Sequence, residues 1–142
     1  MVDKLATDAE SVERAKAALT ASERTYGRKL DLLAACKNEL AQSLDGRQVI
    51  TQVLQLVTET TRIGELSISA GQPQDPIDSY RRLASVYFSG AISLNYCRDN
   101  SHDRYRAEKA IFLEGFRINN QKVVDIITQR AITTAAGSTP QQ

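Results

Sequence analysis

Residues 45–66 read DGRQVITQVLQLVTETTRIGEL, and the spacing of their apolar positions decides the fold class. Val49, Ile50, Val53, Leu54, Leu56, Val57, Thr60 and Ile63 recur at steps of three and four, which is helical and not strand periodicity. The apolar face is broad, so the helix is expected at the centre of a bundle. Asp45 and Gln48 have capping-box form: the carboxylate can accept from the first turn while the amide reaches back to the cap. This places a helix over about 47–66.

Upstream, Thr7-x-x-Glu10 has the same capping form, and a second helix is expected from near Thr7, or from a few residues earlier, to about Leu44. Its stripe is Leu5, Ala9, Val12, Leu19, Tyr26, Leu30, Leu33, Leu40 and Leu44, broken by Lys16, Glu23 and Lys37. Gly27 lies between a polar, Ala-rich first half and a Leu-rich second half, and marks an expected bend.

Downstream, Ser69-Ala70-Gly71-Gln72-Pro73-Gln74 is a loop signal. Asp75-Pro76 then opens a third helix, with Asp as N-cap and Pro at its first position. Its core face reads Ile77, Tyr80, Leu83, Ala84, Tyr87, Phe88, Ala91 and Leu94, and it ends near Arg98. Asp99-Asn100-Ser101 forms a turn with Ser101 as the next N-cap. The fourth helix runs to about Thr133 with Tyr105, Phe112, Phe116, Val123, Ile127 and Ile132 as its stripe, widened by Ile111, Val124 and Ile126. Residues 135–142 are small and polar and are expected to be a disordered tail.

No period-2 segment flanked by hairpin turns occurs. The fold expected is therefore all-α: an antiparallel, up-down four-helix bundle over 1–134, because short connections make successive helices antiparallel neighbours. A first helix of about 55–60 Å would outrun partners of about 30–35 Å. Residues 1–27 are accordingly expected to overhang as a projecting arm, to dock on another subunit, or to fold back at Gly27. Gly90 and Gly115 are candidates for a close approach of the third and fourth helices.

The 142 residues carry 18 Lys/Arg and 17 Asp/Glu, a formal charge of +1. That balance supplies no field for avid binding to nucleic acid or to an anionic membrane. Basic residues do gather between 78 and 122, where eight stand against five acidic ones. No apolar run reaches a membrane span and the N-terminus has no signal-peptide pattern, so a cytoplasmic setting is the expectation. Cys36 and Cys97 lie among apolar neighbours and are read as buried thiols of a reducing compartment, with a single disulfide the alternative.

Catalytic parts are scarce. His102 is the one histidine. A di-iron bundle needs two Glu-x-x-His pairs, and a Cys–His pair would need His102 beside Cys36 or Cys97 across a turn. No phosphate loop, zinc spacing or Gly-x-Ser-x-Gly motif occurs. Asp8, Glu10 and Glu13 suit the start of a helix, and Glu59 and Glu65 flank Arg62 as surface pairs. Neither catalytic residues, metal ligands nor a cofactor are expected.

The residues support three functional readings. The leading one is a non-enzymatic protein–protein interaction or assembly module whose contact stripe is Leu5, Val12, Leu19 and Tyr26, with self-association into an oligomer as one form. The second is an anion- or nucleic-acid-binding surface built from Arg81, Arg82, Arg98, Arg104 and Arg106. The third is a small-molecule or cofactor pocket within the bundle.

Overall fold

The computed structural model describes residues 2–34 and 43–138, with side chains described over 9–31 and 43–137. Among these residues the chain forms four helices and no strand: α1 (Val2–Ala34), α2 (Gly46–Ser69), α3 (Pro76–Tyr96) and α4 (Arg106–Ser138). They run up and down as a bundle. α1 packs on α2 and α3, α2 on α3, and α4 leans on α3 and does not close broadly against α1. None of the described helices is long and apolar enough to cross a membrane.

The capping box of α2 forms as its sequence requires. The Asp45 carboxylate accepts from the Gln48 N–H at 2.8 Å, and the Gln48 side-chain carbonyl accepts from the Asp45 N–H at 2.9 Å. The buried face is one stripe, Val49, Val53, Leu56, Thr60, Ile63 and Ser67, narrower than the sequence pattern. Leu54, expected on that face, is 55% exposed while Leu56 is 0% exposed. The helix also runs three residues past Leu66. It ends at Gly71, whose φ of +71° lets the Gly71 and Gln72 N–H groups reach the Ile68 and Ser67 carbonyls at 3.0 and 2.8 Å. Only glycine adopts that conformation at little cost.

α3 opens as expected, with the Asp75 carboxylate accepting from the Ile77 N–H at 3.1 Å and Pro76 in the first turn. It buries Ile77, Ala84, Val86, Gly90, Ala91, Ser93 and Leu94. Gly90 does not face Gly115. A Cβ on Gly90 would collide with Val53 of α2 and stand 3.2 Å from the Phe112 ring of α4, whereas a Cβ on Gly115 would stand 2.8 Å from the Tyr87 ring. Gly90 is thus where three helices converge.

α1 departs from its expectation in its cap, its end and its burial. It takes the earlier start, at Val2, so Thr7 lies inside the helix and does not cap it, and the helix is continuous through Gly27. Its expected continuation to Leu44 is not seen: Ser43 and Leu44 are outside any α-helix, and Cys36 and Leu40 lie outside the described residues. Most consequentially, Ala15, Leu19, Ser22 and Tyr26 are buried, so residues 15–27 belong to the bundle and not to an arm.

The Tyr26 hydroxyl donates to the Arg82 carbonyl at 3.1 Å, with the Arg82 guanidinium 5.7 Å from its ring. Burial pushes the phenol up to about 12. An unfolded tyrosine releases its proton near pH 10. Stability from this group is therefore complete below pH 10 and is lost as pH rises from 10 towards 12. A chemical denaturation series should show a loss on the order of 2–3 kcal/mol over that window. Tyr26→Phe should flatten most of it, and an unchanged alkaline limb in that variant would contradict the assignment.

α4 begins at Arg106, five residues after the expected Ser101 cap, because residues 102–105 form a turn in which Asp103 takes φ 62°. It continues to Ser138, so residues 135–138 extend the helix and do not belong to a tail; residues 139–142 lie outside the described set. Its register on α3 is set by Tyr87–Phe112 and Phe88–Phe116 ring contacts, with centroids 6.1 and 5.0 Å apart. Arg130 clasps Asp75 with two hydrogen bonds of 2.5 and 2.7 Å, which holds the Asp75 carboxyl down at about 2. Ile127 and Ile132, expected in the core, are exposed. Arg130 stands opposite the residue that caps α3, so α3 has nothing left to cover residues 131–138.

Candidate interaction surface

Two ends of the bundle differ. At the end carrying the Gly71–Gln74 loop, two helices overshoot. Lys29 donates to Gln55 at 3.4 Å and Tyr26 sits beside Thr60, which puts residue 15 level with the α2 cap Ala70. Residues 2–14 of α1 therefore pass about 20 Å beyond α2. Past the Arg130–Asp75 clasp, residues 131–138 of α4 extend about 12 Å further, and every described side chain among them is exposed.

At the other end the chain is tied together by Asp99. Its carboxylate accepts from the Gly46 N–H at 2.7 Å and from the Tyr105 hydroxyl. The Tyr105 hydrogen bond lowers the Asp99 pKa, and the same bond raises that of Tyr105. The Tyr105 ring lies so close to Gly46 that no side chain fits there. Arg104 is 3.8 Å from Asp99, and Arg98 is 3.6 Å from Asp45 while its N–H donates to the Leu44 carbonyl at 2.7 Å.

Beside this joint a cleft of about 540 Å³ opens between the α3–α4 turn and the start of α4. Arg104, Arg106 and Lys109 line it with Asn95 and Leu113. Among the described residues Arg106 and Lys109 have no carboxylate partner. His102 is solvated, 3.6 Å from Asp103. Cys97 is a buried free thiol, and burial, with the nearby Asp99 carboxylate adding to it, pushes that thiol up to about 11. A thiol so protonated is a poor nucleophile at neutral pH. No three His, Cys, Asp or Glu side chains gather as a metal site among the described residues.

Leu113 is also the first member of an exposed apolar face. Leu113, Val124 and Ile127 on α4 and Phe88 on α3 are all exposed, with the half-buried Phe116 ring against Phe88. On α4 the positions 113, 117, 120, 124, 127 and 131 alternate steps of four and three, as in a coiled-coil seam. Arg117 and Asn120 interrupt the stripe, and Arg117 is held to Glu114 at 2.9 Å. The face runs about 27 Å from residue 113 to residue 131.

Comparison with family models, curated proteins and solved structures finds no match. The positions of the expected site residues are therefore the guide to function. Leu19 and Tyr26, expected in a contact stripe, are only 7% and 6% exposed within their own bundle. Val12 is half-buried, and Leu5 lies outside the residues whose side chains are described. The five arginines do not form one site. Arg81 and Arg82 sit near the start of α3, roughly 25 Å along the bundle from Arg98, Arg104 and Arg106. Arg82 is further engaged with Gln74 at 3.1 Å and with the Tyr26 ring.

The sequence reading missed Phe88, Lys109, Leu113 and Val124 as surface groups. The signal was present in α4: its apolar residues are too many for one stripe, and the surplus Leu113, Val124 and Ile127 share one helical face, eleven and three residues apart, turned away from Phe112 and Val123.

Proposed function

We propose that this chain is a non-enzymatic helical interaction or assembly module, acting in the cytoplasm. The observation that carries this reading is the exposed face of Phe88, Leu113, Val124 and Ile127. A monomer gains nothing by leaving these side chains in water, while a partner helix would bury them at about 25 cal/mol per Å². The coiled-coil spacing on α4 favours a helical contact over a flat one. The test is capture from the native source with wild-type chain and with Leu113→Asp/Val124→Asp. Both positions are exposed, so the melting curve should barely move, while captured protein should fall by about tenfold or more. Equal capture by both chains would remove this face from consideration. A wild type that captures nothing and stays monomeric would remove the reading itself.

A second reading, anion or nucleic-acid binding, is supported by Arg106 and Lys109, which line the cleft without a carboxylate partner among the described residues. It calls for binding that weakens steeply with salt and is lost in Arg106→Ala/Lys109→Ala.

A further inference from the structure

We infer that the projecting start of α1 in one copy of the chain docks on the cleft and apolar face of a second copy, giving a head-to-tail assembly. This rests on the interaction-module reading above and names the partner. Three observations lead to it.

The first is the chemistry of the projecting segment. Residues 2–14 read VDKLATDAESVER, with four acidic residues against Lys4 and Arg14. Val2, Leu5, Ala9 and Val12 recur at helical spacing, and that same spacing puts Asp8 and Glu13 on the two borders of their stripe. This is a short acidic amphipathic helix. By register it runs beyond α2, and Ala9, Glu10 and Glu13 are exposed.

The second is the complementary chemistry of the receiving surface. Of the acids around it, Asp99 is engaged by Gly46, Tyr105 and Arg104, and Glu114 by Arg117, while Asp103 on the rim stands 3.6 Å from the His102 ring. Arg106 and Lys109 are left over, next to Leu113 and the face that continues to Phe88 and Val124. Apolar surface flanked by these cations matches an apolar stripe flanked by acids, and such rim pairing guides encounter and register.

The third is polarity. The acidic segment leaves from the loop end, and the basic cleft lies at the opposite end of the bundle. A segment of about 20 Å directed away from the bundle does not return over an α3 of about 30 Å. The acceptor is then a second copy, and because the two surfaces differ, the contact is heterologous and propagates in a ring or an open chain.

Charge reversal in full-length chains tests this. Wild type is followed by sedimentation velocity over a concentration series at low and high salt, beside Asp8→Lys/Glu13→Lys and Arg106→Glu/Lys109→Glu. The wild type should form concentration-dependent oligomers that added salt weakens. Each reversed chain alone should self-associate about tenfold or more weakly. An equimolar mixture of the two should assemble again, because each reversed surface then meets an opposite one. A variant that had merely unfolded would not be rescued by mixing. Oligomers that survive both reversals, or a mixture that stays monomeric, overturn the inference. A monomeric wild type that still captures another protein through Leu113 and Val124 also overturns it, and leaves the interaction reading standing.

Discussion

Leu56→Ala is expected to cost about 2–5 kcal/mol and lower the melting temperature by about 5–20 °C. Leu56 is 0% exposed and sits in the continuous α2 stripe with Val53, Thr60 and Ile63. Truncation removes buried methyl groups and leaves a void among fully covered neighbours, which cannot all relax into it. Two residues earlier, Leu54 is 55% exposed. Leu54→Ala should therefore change stability by no more than about 0.5 kcal/mol. Sequence pattern gives both leucines the same standing on the apolar face of α2. Urea denaturation of the two variants separates pattern from packing, and equal losses would mean that α2 sits in a different rotation.

The glycines give the second large effect, and its sign changes with position. Gly27 and Gly64 have open space where a Cβ would go, so alanine there should stabilise by about 0.5–1 kcal/mol through helix propensity alone. At Gly90 the same methyl group meets Val53 and the Phe112 ring. Val53 is fully buried and stiff about its χ1 bond, so it cannot swing aside. Overpacking should outweigh propensity, leaving Gly90→Ala destabilised by about 1–3 kcal/mol. Thermal melts of the three variants test this together. A stabilised Gly90→Ala chain would show that α2, α3 and α4 do not converge there.

How much of the fold is legible in the sequence depends on how far each interaction reaches. The Asp45–Gln48 box and the Asp75-Pro76 start each involve groups within three residues of one another, and both form as their sequences require. Ser101 failed as a cap because a competing arrangement wins: Asp99 binds Tyr105 and Gly46, which holds residues 102–105 in a turn and delays α4 to Arg106. That arrangement depends on Gly46, more than fifty residues away in sequence, and no local pattern reveals it.

The contact stripe of α1 shows the same division at the level of the candidate site. Leu19 and Tyr26 have the spacing of a docking face, and they do dock, but on α2 and α3 of their own chain. Phe88 and Ile127 have the spacing of core residues, yet they are exposed. Periodicity reports that one side of a helix is apolar. It does not report whether a neighbouring helix is long enough, or in the right register, to cover that side.

Four helices, the caps of α2 and α3, the loop before α3 and the all-α class are legible in the residues alone, because these depend on backbone propensity and on contacts within a turn or two. Tertiary structure alone decided which apolar residues are sealed and which are left in water. A 33-residue α4 laid against a 21-residue α3 must overhang, and a 33-residue α1 laid against a 24-residue α2 must do the same. Those mismatches in length leave an acidic helix end projecting at the loop end of the bundle. Within the span that α3 and α4 share, α4 packs on α3 and not broadly on α1, which leaves Phe88, Leu113, Val124 and Ile127 uncovered beside the basic cleft, and the proposed function rests on these open surfaces.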